Sequence, residues 1–98
     1  MRLYILFFLN FFLFSSISLS SEKKIILGLD WFINPDHAPI ILADKYGYFN
    51  DENLKVKIIE PADPNDPPKQ VAAGKIDIAI SYQPQFHLQI DQNLPIVR

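Results

Sequence analysis

The sequence predicts an α/β fold: a parallel sheet with flanking helices. Three observations carry that expectation. Short apolar or alternating runs recur along the chain, as KIILGLD, LKVKII and IDIAI. Segments opened by proline and closed by glycine separate them, in the manner of helices. The connections are short, and strand–helix alternation with short connections favours right-handed crossovers and parallel pairing.

The first twenty of the 98 residues stand apart. Met1 and Arg2 lead into LYILFFLNFFLF, and SSISLSS follows. A positive start, a short apolar run and a tail of small residues describe a secretory signal peptide. Asn10 interrupts the run, which falls short of the roughly 20 residues a spanning helix requires. An uncleaved anchor is the alternative reading. Ser18-Leu19-Ser20 places cleavage near Ser20, so residues 1–20 are read as leader and 21–98 as the exported domain. The chain has no cysteine, which excludes disulfides, thiolate metal sites, a cysteine nucleophile and lipid attachment at a new N-terminal cysteine. A freely soluble periplasmic product is expected.

Lys24 to Asp30 reads as a buried first strand. Pro39 then locates the helix that follows. With Asp36 as N-cap, Pro39 falls inside the first turn, where its missing N–H is tolerated. The expectation is therefore a loop over Trp31 to Pro35, a helix from His37, and a stop at Gly47 in the left-handed conformation. Tyr48 and Phe49 pack the turn. Leu54 to Ile59 alternates as a second strand. EPADPNDPP, with its four prolines, is stiff and extended. Asp66-Pro67 starts a second helix that ends at Gly74. Ile76, Ile78 and Ile80 alternate through a third strand, Gln83-Pro84 opens a third helix, and Leu94 to Val97 reads as a fourth strand.

Open α/β sheets bind ligands outside the carboxyl ends of their strands. Trp31 to His37, Glu60 to Asp63 and Ser81 to Gln83 each follow a strand, and together they form a candidate rim. Trp31 and Tyr82 offer two rings that can hold a flat ligand, with stacking worth about 1 kcal/mol beyond area burial. Asn34 either shapes its own turn or presents a donor and an acceptor to a ring nitrogen beside an amine. Asp36 is read as a helix cap. His37 either meets a ligand or is a partly exposed loop residue.

The formal net charge is −2, and no basic cluster offers a nucleic-acid surface. His37 and His87 make no metal-ligand pattern. Glu60, Asp63 and Asp66 read as a solvated acidic loop. No Gly-rich phosphate loop, nucleophile elbow or acid–base carboxylate pair occurs, so neither enzyme chemistry nor a cofactor is expected.

Longer stretches carry a resemblance. LDWFINPDHAPIILA, GYF, EPADPNDPPKQVAAGKIDIAISYQPQ and LPIV together resemble the amino-terminal part of the SsuA/THI5-like solute-binding proteins. GYF and AAGKIDIA mark the superfamily; LDWFINPDH and EPADPNDPPK…SYQPQ resemble its thiamine-pyrimidine branch. The resemblance implies part of the first lobe of a type II periplasmic-binding-protein fold. It implies an aminopyrimidine ligand, such as a hydroxymethyl or formylaminomethyl precursor of thiamine, and the permease and ATPase subunits of an ABC importer as partners. Membrane contact then comes only through the permease. By the same resemblance Trp31, Asn34 and Tyr82 are the first ligand-binding candidates, with His37 and Ser81 behind them.

Three alternatives stand beside this reading. A sulfonate or taurine binder wants a helix N-terminus and serine or arginine donors. The family's eukaryotic pyrimidine synthase carries a lysine just after the strand matching DIAI and a donor histidine four residues on; Ser81 and Gln85 stand there, and its cysteine-rich motif is missing. Family members are about three times as long, so a nonfunctional remnant is the third.

Overall fold

A computed structural model describes residues 21–98. The leader expected at 1–20 and its cleavage point near Ser20 lie outside those residues. The described part is α/β, a parallel sheet with flanking helices. Strand β1 (Lys23–Gly28) runs between β2 (Leu54–Ile59) and β3 (Ile78–Ala79), in the order β2-β1-β3, and both pairings are parallel. Each strand needs a crossover to reach its parallel neighbour, and the helical segments between the apolar runs supply it.

Register aligns the strand ends. Gly28 lies opposite both Ile59 of β2 and Ala79 of β3. The ladder extends one step further, with Leu29 N–H donating to Ile59 O at 2.9 Å and Ile80 N–H to Gly28 O at 2.9 Å. The segments beginning at Leu29, Glu60 and Ile80 therefore leave the sheet along one edge.

After β1 the chain makes a 3-10 turn, Pro35–His37, and continues into α1, Ala38–Lys45. This corrects the assignment of Asp36 as the cap. Asn34 caps the turn: its side-chain oxygen accepts from Asp36 N–H at 2.9 Å, and His37 Nδ1 accepts from Asn34 N–H at 3.2 Å. The tight turn resolves the difficulty posed by Pro39, because the α-helix begins anew at Ala38 and Pro39 stays within its first turn. Helix α1 ends before Gly47, whose φ of 78° is the left-handed conformation expected there. A single-turn helix, α2 (Tyr48–Asp51), then packs against α1 and β2.

Helix α3 (Asp66–Ala72) starts where Asp66-Pro67 indicates, and α4 (Gln83–Asp91) where Gln83-Pro84 does. Pro67 and Pro68, in α3's first turn, are buried, and α3 packs against β3. The closest approach is at Gly28. A Cβ there would lie 2.8 Å from Ile76 Cδ1 and 3.3 Å from Pro67 Cβ, so only a residue without a side chain lets α3 and the chain entering β3 close on the central strand.

Two expectations about strands need correction. The third strand is limited to Ile78–Ala79 instead of Ile76–Ile80. Asp77 interrupts the ladder: its Oδ2 accepts from Ile26 N–H at 2.8 Å, while its own N–H donates to Ile26 O at 3.1 Å. A side chain thus takes the donor that a strand carbonyl would have used. Leu94 to Val97 forms no strand. Pro95 has no N–H to offer a neighbour, and Ile96 N–H turns back to Leu94 O at 2.9 Å. Pro95, Ile96 and Val97 instead form one wall of an apolar groove of about 330 Å³, facing Pro68, Val71, Ile78 and Phe86.

Candidate ligand-binding site

The central strand is followed by Leu29, which is fully buried, and Asp30, which is 7 % exposed. Leu29 anchors the exit of β1 in the core and so holds the next residue at the sheet edge. Its side chain is a carboxylate. Asp30 Oδ1 lies 2.8 Å from His37 Nε2.

The tautomer of His37 follows from its other nitrogen. Asn34 N–H can only donate, so Nδ1 accepts and Nε2 carries the proton given to Asp30. His37 is 3 % exposed, and this corrects the expectation of a partly exposed loop position. Both ring nitrogens are taken inside the protein, and the ring stands behind Asp30 as its support.

Tyr82 approaches the same carboxylate from the end of β3. Burial acts to raise the carboxyl pKa of Asp30, but hydrogen bonding from His37, then from Tyr82 and the backbone, outweighs it and holds the group below its ordinary value. The Tyr82 phenol is raised in turn, first by its hydrogen bond to Asp30 and then by that negative charge. Asp30 was not among the sequence candidates. The signal that could have found it is position: an aspartate closing an apolar strand has to be paired or solvated.

The remaining candidates have definite places. Trp31 is half exposed and meets Phe32 edge to face, with ring centroids 5.6 Å apart. Its loop is pinned from β2, since Glu60 Oε1 accepts from Ile33 N–H at 2.7 Å. Asn34 is occupied locally, donating to Phe32 O at 2.9 Å while capping the turn. Tyr82 is mostly exposed. Trp31 and Tyr82 thus follow neighbouring strands, and neither lines the apolar groove beside α4.

Ser81 Oγ donates to Gln85 Oε1 at 3.1 Å, and Gln85 Nε2 donates to Asn65 Oδ1. Asn65 binds Asp63 through its backbone N–H at 2.8 Å. That bond, with the Asn65 amide second, keeps Asp63 below its ordinary carboxyl pKa. Ser81 therefore belongs to a polar chain that ties the β2–α3 loop to α4. Among the described residues no three His, Cys, Asp or Glu side chains converge as metal ligands, and no helix is long and apolar enough to cross a membrane.

Fold and loop placement define the class: an α/β lobe that carries its aromatic and polar loops at the carboxyl edge of a parallel sheet. Within that class the chain belongs to the NMT1/THI5-like family, whose model matches residues 34–98. It is 55% identical over 78 residues to a protein of Haemophilus influenzae named for thiamine biosynthesis, covering 80% of this chain and 25% of that one. It is 42% identical over 69 residues to the formylaminopyrimidine-binding protein of Halalkalibacterium halodurans, covering 70% and 21%. It is 38% identical over 61 residues to a 4-amino-5-hydroxymethyl-2-methylpyrimidine phosphate synthase of Legionella pneumophila, covering 62% and 19%. The chain spans a quarter or less of the length of these relatives.

Proposed function

We propose that this chain contributes one wall of a binding site for an aminopyrimidine precursor of thiamine. The protein acts as the exported binding component of an ABC importer and does no covalent chemistry. The observation that carries this reading is the likeness to the formylaminopyrimidine-binding protein. Its chemistry suits the rim, where Trp31 and Tyr82 can hold a flat ring from two sides and Asn34 and Ser81 lie in the adjoining loops. His37 serves from behind, through Asp30.

The relatives named as synthases favour a second reading. Against it stand Ser81 and Gln85, which occupy the places of the lysine and histidine and hydrogen-bond to each other. Neither is a nucleophilic amine or an imidazole.

Thermal-shift titration of the full chain with 4-amino-5-hydroxymethyl-2-methylpyrimidine and with taurine separates the binding readings. Stabilisation by the pyrimidine is expected; stabilisation by taurine alone overturns the proposal. Incubation with pyridoxal phosphate should give no imine absorbance, and a lysine adduct would move the protein to the synthases. Export predicts a periplasmic product whose N-terminal sequence starts close to Ser21.

A further inference from the structure

Strand β2 is an edge strand among the described residues, since the sheet order is β2-β1-β3. Lys23 N–H donates to Asn53 O at 2.8 Å and Leu29 N–H to Ile59 O at 2.9 Å. The odd-numbered residues of β2 therefore turn their peptide groups toward β1. By the alternation of a strand, Leu54, Val56 and Ile58 aim their N–H and C=O groups outward. Among the described residues no strand or loop bonds to those groups.

Side-chain parity adds a charge pattern to this open edge. Lys55 and Lys57 stand on one face and are exposed, whereas Leu54, Val56 and Ile58 stand on the other and are half-buried. Register puts Lys24 of β1 directly beside Lys55 on the same face, and it too is exposed. Neighbouring strands lie about 4.8 Å apart and alternate residues about 6.6 Å, so these ammonium groups share one small patch. Lys69 pairs with Asp66 at 3.9 Å, but Lys24, Lys55 and Lys57 have no acidic partner among the described residues. Like charges set opposite one another oppose sheet formation. An anionic partner laid over them reverses that sign.

We propose that the outer edge of β2 is a docking strip for an extended acidic protein segment, which adds to the sheet as a further strand. Acidic side chains at its alternate positions meet Lys55, Lys57 and Lys24. The residues between them are apolar and cover the open flanks of Val56 and Ile58. Main-chain bonds supply affinity, and the alternating side chains supply selectivity. Charge selects this occupant over a second copy: pairing two β2 strands antiparallel about Val56 sets Lys55 against Lys57, which is how lysines guard an edge against its own kind. The strip is made by the strand itself and not by the loop beginning at Glu60, so the inference stands apart from the pyrimidine reading.

The experiment titrates the full chain with fluorescein-labelled peptides and follows their anisotropy. The probes are Glu-Val-Glu-Val-Glu, its block isomer Glu-Glu-Glu-Val-Val, and Lys-Val-Lys-Val-Lys. Wild type should bind the alternating acidic peptide, the block isomer more weakly, and the lysine peptide least. The double variant Lys55→Glu, Lys57→Glu should weaken the acidic peptide about 10-fold, the scale of two cross-strand charge pairs turned repulsive. The same variant should gain the lysine peptide, which also shows that its edge is intact. N-methylation of alternate amides tests strand addition, because only one edge of an added strand faces β2. Methylation in one phase should abolish binding and in the other should leave it.

No binding of the alternating acidic peptide overturns the proposal, as do affinities that the charge reversal changes by less than about 2-fold, below a single cross-strand pair at the upper end of its range. Equal effects of the two methylation phases overturn strand addition. Binding to phosphatidylglycerol vesicles with no preference between alternating and block peptides assigns the lysines to a lipid surface and overturns the protein partner.

Discussion

At the scale of single residues, Asp30 couples the site to pH. Its folded pKa lies below the ordinary carboxyl value, so the native state holds the ionised form more firmly than the unfolded chain does. The resulting stability is complete above the ordinary carboxyl range and disappears as pH falls through it toward the lowered folded value. Melting temperature followed from pH 7 to pH 3 should fall for wild type and fall less for D30N; equal slopes would refute the linkage. Asp63, also lowered but exposed, should account for part of the residual slope. Gly28 makes a separate packing prediction. In Gly28→Ala the new methyl meets Ile76 Cδ1, which can turn aside, and Pro67 Cβ, which cannot. A loss of about 1 kcal/mol is expected from urea denaturation, at the low end for overpacking. Adding Ile76→Val should recover part of it.

At the scale of elements, β3 depends on one side chain. Asp77 supplies the acceptor for Ile26 N–H that the missing strand residues would have supplied. Asp77→Ala should cost about 1 kcal/mol and speed hydrogen exchange at Ile26, whereas Asp77→Asn keeps an oxygen there and should stay near wild type. If both variants exchange alike, the side chain is not what joins β3 to β1. The loop after β1 is an element in the same sense. Asn34 caps it, Glu60 pins it from β2, and His37 seals its far end. Three side chains thereby hold a segment that exposes Trp31, Phe32 and Ile33 to solvent.

At the scale of the whole molecule, little is fully enclosed. Leu29 and Ile76 are the buried hydrophobic side chains among the described residues, while eleven large hydrophobics are exposed there. Small domains hide a modest share of their surface, and this one hides little in its interior. Urea unfolding of the chain, followed by far-UV circular dichroism, should give a stability below the ~5 kcal/mol usual as a lower bound for domains. The exposed apolar surface should also bind a hydrophobic dye; a steep transition at high urea with no dye binding would contradict this account.

The sequence alone determined the element order and the parallel α/β class, because prolines, glycines and apolar period act within a few residues of themselves. Asp66-Pro67, Gln83-Pro84 and Gly47 each fix a helix boundary by local sterics, and Leu54 to Ile59 reads as a strand from its alternation. Tertiary structure decided what depends on partners far along the chain. It shortened β3 through Asp77 and Ile26, whereas the cap at Asn34 and the turn of Ile96 back to Leu94 are local contacts that the sequence held but the reading missed. It also placed Asp30 between His37 and Tyr82, separated from them by 7 and 52 positions. A carboxylate at the end of a strand reads as a turn residue until the fold brings donors to it, for hydrogen bonds between distant segments leave no local periodicity to detect.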